Sequence, residues 1–398
     1  MSPPRTLTVD VAIAGAGLAG GSLALALARR GVSVALVDPG TFPRDKLCGE
    51  FLSPESWGVL DRLALTGEIH RAGYHAIRAV RVTTPRGRSI EARIVEPDAP
   101  PGLGLSRSTL DDLIVREARS AGAQVLESTR ASGPLIEEGR VAGLLVRFPP
   151  HEETRIRARV TIAADGRHSG LVKQTGVTVA RQGRRPKLLG MKRHYRLDPQ
   201  HPSAEAQGTV GLHVVRGGYC GTCCVEGGLT NLCALVPESK IRPYRGDLNS
   251  AARDVLGQNP AVSRILADGV AIGEWKAVSG VRVEASTPRL AGILYAGDCQ
   301  GTVDPLGGQG MTMALLGAES LVPFVLRSLE STVTQAIQAE WRLAWDRRFR
   351  RRVRLCRAFH QALVRPELLE FASHFGPWAS RLLAGGFRWT RDRAGSST

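Results

Sequence analysis

The first 38 residues constrain the fold more than any other stretch of the chain. Val9 to Ala14 is a short apolar run of the kind that forms a buried parallel strand, and it leads directly into Gly15-Ala-Gly-Leu-Ala-Gly20. Apolar residues continue to Ala28 as a helix, Gly31 ends it, and Val32 to Val37 reads as a second, β-branched strand closing on Asp38. Glycines at G-x-G-x-x-G inside such a βαβ unit have mechanical roles. The first permits the tight turn, the second lets a pyrophosphate approach the backbone at the positive end of the helix, and the third lets helix and strand pack closely. Asp38, at the end of the second strand, is placed to accept hydrogen bonds from a ribose hydroxyl. Gly15, Gly17, Leu18, Ala19, Gly20 and Asp38 are therefore expected to bind a dinucleotide.

Beyond this unit, Ser53 to Leu65 and Ser108 to Ala121 have helical periodicity, while Ala79 to Thr84, Ser89 to Ile94, Gln124 to Glu127 and Val141 to Phe148 read as strands. Arg155 to Ala164 is another strand and runs into Asp165-Gly166. Leu188 to Val236 alternates with many glycines, as an antiparallel sheet does. Parallel-strand character returns at Gly292 to Ala296, followed by Gly297-Asp298 and a long apolar helix from Gly310. The expected fold is α/β with an α+β insert: a discontinuous Rossmann-like domain, an inserted antiparallel substrate-binding sheet, and C-terminal helices. The boundaries predicted are 1–80, 101–180 and 281–330 for the nucleotide-binding domain, 81–100 for strands lent to the sheet, 181–280 for the sheet domain, and 331–398 for the helical extension.

A net charge of +16 raises nucleic acid as a partner, but only six of the 53 basic residues are lysine, so codon bias explains the excess as readily and no nucleic-acid contact is expected. Seven scattered cysteines, at 48, 220, 223, 224, 233, 299 and 356, make no disulfide framework and point to a reducing cytoplasm. Cys220, Cys223, Cys224 and Cys233 sit in alternating strand-like sequence without a second paired knuckle, so no metal site is expected. The longest apolar run, Leu18 to Ala28, is too short to span a bilayer. From residue 341, Trp341, Trp345, Phe349, Val353, Cys356, Phe359 and Leu363 form one helical stripe with arginines between them. The helix over 341–363 reads as packed on the core with a solvated arginine face, or as a peripheral contact with an anionic membrane or acidic partner.

Residues 294–311, Leu-Tyr-Ala-Gly-Asp-Cys-Gln-Gly-Thr-Val-Asp-Pro-Leu-Gly-Gly-Gln-Gly-Met, resemble the second FAD fingerprint of the p-hydroxybenzoate hydroxylase and geranylgeranyl reductase superfamily. The resemblance implies that the nucleotide-binding domain holds FAD. It implies that Gly297 and Asp298 meet the ribityl chain, and that the turn through Pro305, Gly308, Gly310 and Met311 opens a helix facing the flavin's pyrimidine edge. Ala164-Asp165-Gly166-Arg167-His168-Ser169 resembles the A-D-G-x-x-S segment associated with both FAD and NAD(P)H, although Val172 stands where the family carries arginine and Lys173 follows it. Arg107 resembles the arginine that opens the helix beside the FAD phosphates. Pro43 to Phe51 is similar to the geranylgeranyl reductase branch, which implies that Cys48 and Gly49 lie near the isoalloxazine.

The same comparison separates branches. Halogenases of the superfamily carry W-x-W-x-I-P, and none of the six tryptophans makes that spacing. Prenyl reductases carry Y-x-W-x-F-P, whereas Gly218 to Glu226 keeps Tyr219, a candidate pocket residue, without the tryptophan and proline. The expectation is a flavin-dependent monooxygenase hydroxylating or epoxidising a small aromatic or polyketide-like substrate, with NAD(P)H as electron donor. The alternatives are an ene reductase of isoprenoid double bonds and an electron-transfer flavoprotein. No catalytic triad is expected, and His194, His213 and Glu50 are the nearby polar candidates.

Overall fold

Five strands run parallel in one seven-stranded sheet: Thr6–Ala14, Val34–Val37, Gln124–Leu126, Glu152–Ala163 and Ile293–Tyr295. Their near-continuous apolar sequences suit strands covered on both faces. In the computed structural model, which describes residues 6–148, 152–179, 187–198, 200, 208–281, 285–363, 365–389 and 391, Thr6–Ala14 lies at the centre. Val34–Val37 flanks it on one side and Glu152–Ala163 on the other. The far edge of Glu152–Ala163 is shared. Its N-terminal half pairs antiparallel with Arg140–Phe148, and its C-terminal half pairs with Ile293–Tyr295. Arg130–Glu137, which the sequence does not announce because Gly133 and Pro134 interrupt it, forms a hairpin with Arg140–Phe148.

The Leu18–Ala28 helix is buried on every side, between the Arg107–Ser120 and Gly310–Glu330 helices, which explains its lack of a polar face. Gly310–Glu330 is long and apolar enough to cross a membrane by length and composition, but more than half of its apolar window is packed inside the protein. The helix predicted from Ser53 to Leu65 forms over Ser56–Arg62 and ends before Ala64, which takes a left-handed backbone; a further helix, Thr66–Ala72, follows it.

The second seven-stranded sheet runs in the order Val270–Val281, Leu188–Arg196, Leu229–Pro237, Gly218–Val225, Thr209–Val215, Ala79–Thr83, Ser89–Arg93. It is not antiparallel throughout. Thr209–Val215 pairs parallel with Ala79–Thr83, because the Ala79–Arg93 hairpin arrives from a distant part of the chain. One face, with Met191, Cys220 and Leu232, packs on Pro260–Asp268 and neighbouring turns. The other, with Val80, Tyr219 and Cys223, faces Leu306 and the C-terminal helices.

Those helices are Gln335–Leu363, Pro366–Ala372 and Pro377–Trp389. In the first, Trp341, Trp345, Phe349, Cys356 and Leu363 are buried, so its apolar stripe is turned inward. Arg352 is buried with them, paired to Glu55 at 2.8 Å, while Arg347, Arg350, Arg351 and Arg354 meet solvent.

Candidate cofactor and substrate site

The glycine turn leaves room for a phosphate where its chemistry requires it. Gly15 has φ +101°, and a side chain there would run into the Ala164 carbonyl at 2.3 Å. A Cβ at Gly20 would lie 1.9 Å from the Gly15 carbonyl, so helix and turn touch directly. At Gly17 the nearest atoms to a Cβ are two cations, Arg107 Nη2 at 3.6 Å and Lys46 Nζ at 3.7 Å. The Leu18–Ala28 helix starts there with no side-chain cap, and its first N–H groups are available to an anion. Arg107 forks onto Asp111 through Nε and Nη2 at 2.8 and 2.7 Å. Burial opposes its charge, but Asp111 outweighs burial and holds the guanidinium firmly cationic. Lys46 keeps solvent exposure, yet the protein packed around it and the adjacent Arg107 push its ammonium below its usual range, and a bound phosphate would oppose that shift.

Asp38 is buried at the end of its strand and receives the Ala16 N–H at 2.8 Å, the Gly40 N–H at 2.9 Å and Arg44 Nη2 at 2.9 Å. The backbone donors fix the carboxylate. Arg44 is the partner that a ribose hydroxyl would displace or share.

The second fingerprint meets the first. Gly297 takes φ +58°, and a Cβ there would stand 2.9 Å from the Ala19 side chain. Asp298 follows, half-exposed and 3.7 Å from Arg167. Asp165 has a structural role beside the one the resemblance implies. Its oxygens accept from Ser169 Oγ at 2.5 Å, the Gly170 N–H at 3.0 Å and Cys299 Sγ at 3.3 Å, so it ties the following helix to the strand. Beside Asp298 opens a cleft of about 320 Å³, lined by Arg167, His168, Lys173 and Lys187 among others. Val172, which replaces the family arginine, is buried, and Lys173 supplies a cation to that cleft.

Next along the chain, Asp304 caps the Pro305–Gly307 turn by accepting the Leu306 N–H at 3.1 Å. Gly308 has φ +62° and faces Phe51, and Gly310 opens the long helix to solvent. Met311 is buried in the core, so only its backbone can reach a ligand. The same Asp304 Oδ1 accepts from His360 Nδ1 at 2.8 Å, since it is already serving as an acceptor. Among the described residues His360 Nε2 has no hydrogen-bond partner. Tyr219 is buried with its ring edge-on to His360, centroids 5.9 Å apart, and burial together with Asp304 pushes its hydroxyl pKa well up.

Cys48 is half-buried and packs on the main core, its side chain within reach of Arg107; Arg44 is engaged by Asp38 instead. Gly49 is exposed beside it. Glu50 is the surprise. It is fully buried with φ +57° and accepts the Arg107 N–H at 2.8 Å and Lys192 Nζ at 2.5 Å, with His194 Nε2 at 2.7 Å on its other oxygen. Lys192, also buried, bridges to Asp45 at 2.6 Å. Burial lowers the Lys192 pKa, but Glu50 and Asp45 outweigh it, and the net shift is upward. Asn231 on the next strand donates to the Cys48 carbonyl at 2.9 Å, and its own Oδ1 is buried without a partner. His213, by contrast, is spent on structure, its nitrogens 2.8 Å from Thr83 and Thr222.

A glycine turn with two cations over an uncapped helix, joined to a Gly-Asp turn and a second helix N-terminus, fits a flavin dinucleotide extended along the cleft. The FAD binding domain family matches residues 8–325. The chain belongs to that family.

The match places an FAD binding domain over most of the chain, and the relatives include proteins named as reductases. The chain is 26% identical over 324 residues to a digeranylgeranylglycerophospholipid reductase of Methanoculleus marisnigri, covering 77% of this chain and 73% of that protein. A menaquinone reductase of Mycobacterium tuberculosis is 32% identical over 170 residues, 42% of this chain and 40% of the relative. Conditioned medium factor receptor 1 of Dictyostelium discoideum is 26% identical over 331 residues, 78% of this chain, and the chain spans 61% of its length. Among solved structures the flavin-dependent brominase Bmp2 superposes with a TM-score of 0.79 over 98% of this chain and 96% of its own, at 17% identity, a likeness of fold alone.

The roles of four site residues escape the sequence. Lys46 and Asp304 lie inside quoted segments without a role of their own, Lys192 and His360 lie outside them, and the Asp304–His360 and Glu50–Lys192 pairs join residues far apart in the chain. The one available signal is alternation over Leu188–Arg196, which puts Lys192 and His194 on one face of their strand.

Proposed function

We propose that this FAD-dependent oxidoreductase is a monooxygenase that hydroxylates or epoxidises an electron-rich aromatic or polyketide-like small molecule, drawing electrons from NAD(P)H. The observation that carries the reading is the Asp304–His360 pair beside Tyr219, at the turn that opens the Gly310–Glu330 helix. Phenols and enols become good oxygen acceptors when they lose a proton. His360, with Nδ1 anchored on a carboxylate, presents Nε2 as the base for that proton. FAD, when bound, supplies the electron transfer and oxygen activation. Arg107, Lys46 and the N–H groups after Gly17 hold its phosphates, and Asp38 and Asp298 accept from its hydroxyls. The N-terminus at Gly310 favours negative charge on the ring. The cationic cleft at Arg167, His168, Lys173 and Lys187 suits the phosphates of a transient nicotinamide nucleotide. Seven free thiols suit a reducing cytoplasm.

The test is reduction of the purified flavoprotein without air, followed by mixing with labelled dioxygen and a pool of phenolic and polyketide compounds. Label in a product supports the proposal; reoxidation that no compound accelerates and no product labels defeats it. His360→Gln is expected to slow turnover by about 10²-fold and to remove one limb of the pH profile.

A second reading is favoured by the relatives named as reductases of menaquinone and of a prenylated lipid. In an ene reductase the same His360 would deliver a proton to carbon. Product formation under strict anaerobiosis, by a prenyl lipid consuming the reduced flavin, selects that reading.

A further inference from the structure

The C-terminal helices leave a second apolar face uncovered. Pro377–Trp389 buries Ala379, Leu383 and Phe387 against the substrate sheet. The adjacent stripe, Trp378, Leu382, Gly385 and Trp389, has its own helical spacing of four, three and four, and its large residues point to solvent. Phe371 and Phe375, edge to face at 5.0 Å, extend it on the preceding segment. These five large side chains are 52% to 73% exposed. At about 150–250 Å² per aromatic ring they present on the order of 600 Å², at the upper limit of what a typical monomer shows.

The charges beside the stripe say what covers it. Arg381 and Arg388 are exposed along its edge, Arg388 lying 3.5 Å from the exposed Glu96 of the neighbouring loop, and Arg365 is exposed on the segment before. Of the two acids between residues 365 and 391, Glu370 is buried beneath Arg88 and only Glu367 remains free of the interior. Tryptophan and phenylalanine on one stripe with arginine at its border is the composition of a helix that lies in a lipid interface. A second copy of this chain fits poorly, because a two-fold contact would set these arginines against themselves in a protein of net charge +16.

We propose that the face formed by Phe371, Phe375, Trp378, Leu382 and Trp389 docks on an anionic lipid bilayer, with Arg381 and Arg388 at the headgroups. The contact is distinct from the Arg-rich helix suggested by sequence, whose stripe is buried. It abuts the site: Phe387 on the same helix packs edge to face with Phe359, the neighbour of His360. Docking requires no turnover and stands whether the enzyme oxygenates or reduces.

The FAD-loaded protein is mixed with vesicles of phosphatidylcholine alone or with phosphatidylglycerol, and bound protein is separated by flotation. Binding to the anionic vesicles, weakened by salt, is expected. Arg381→Ser with Arg388→Ser should weaken it roughly 25-fold, at about fivefold per arginine. Vesicles with brominated chains should quench tryptophan fluorescence, and Trp378→Phe with Trp389→Phe should lose most of that quenching while still binding. Trp378→Ser, Leu382→Ser and Trp389→Ser together should abolish binding while flavin content and melting temperature hold. Equal binding to both vesicle types, or undiminished binding by the serine variant, overturns the proposal. So does sedimentation as a dimer that Leu382→Ser dissociates, or failure to bind vesicles while an acidic carrier protein binds the face.

Discussion

Lys192→Met tests whether the buried charge cluster holds the substrate sheet onto the cofactor loop. Lys192 Nζ lies 2.5 Å from Glu50 and 2.6 Å from Asp45. Asp45 keeps Lys276 at 3.3 Å when Lys192 is lost, and it is partly solvated. Glu50 is fully buried and keeps only His194 and the Arg107 N–H. Breaking a buried pair from one side costs about 3–5 kcal/mol, because the remaining carboxylate is uncompensated. Scaled to a chain of this size, at about 2.1 cal/mol/K of unfolding entropy per residue, that is a fall of roughly 4–6 °C in melting temperature. Adding Glu50→Gln should recover most of it, since the amide still accepts the Arg107 N–H and no charge is left buried. Thermal melts of the FAD-loaded protein read both variants. The pH dependence follows the shifts. The raised Lys192 pKa gives stability that is full below the unfolded value near 10.4 and lost as pH climbs through the folded one; the depressed Asp45 pKa gives stability present above about 3.9 and lost as pH falls through the folded one. Lys192→Met should therefore flatten the alkaline arm. A single variant that melts within a degree of wild type, or a double variant less stable than the single, refutes the reasoning.

Gly15→Ala places a methyl group 2.3 Å from the Ala164 carbonyl in a left-handed backbone, so the purified protein should emerge colourless or misfolded; full flavin absorbance would show that the turn can yield. Lys46 makes no close ion pair among the described residues and stands over Gly17, so Lys46→Met should keep the melting temperature of the apoprotein while weakening FAD retention by about tenfold or more, measured by flavin release against salt.

The nucleotide domain is legible because its glycines are dictated by collisions within a few residues or at one crossing point, Gly20 with Gly15 and Gly15 with Ala164. The substrate sheet is legible as strands but not as pairings. Nothing in Thr209–Val215 says that its neighbour is Ala79–Thr83, because alternation fixes which side faces the core and leaves the partner open. Asp165 shows what motif reasoning leaves out: the segment is where the resemblance puts it, and its carboxylate also accepts from Ser169, Gly170 and Cys299, partners that only the fold reveals. Glu50 was visible as a polar candidate, but its partners on the Leu188–Arg196 strand depend on how two domains close. The Arg-rich helix read correctly as amphipathic, and the packing that hides its stripe came from Leu321, Val325 and the Gly310–Glu330 helix, which no local pattern reveals.

The shared edge of Glu152–Ala163 fixes an order of assembly. Its outer C-terminal half is closed only by Ile293–Tyr295, whose next residues are the turn that touches Ala19. On the ribosome the strands that begin the nucleotide sheet emerge first and must wait, one edge half open, while the whole inserted sheet is made. Most of the inserted sheet, from Leu188 to Val281, pairs within itself and can form during that interval. The nucleotide sheet is thus completed only after every residue of the inserted sheet has been synthesised, so the two halves of the glycine site meet late in the life of the nascent chain.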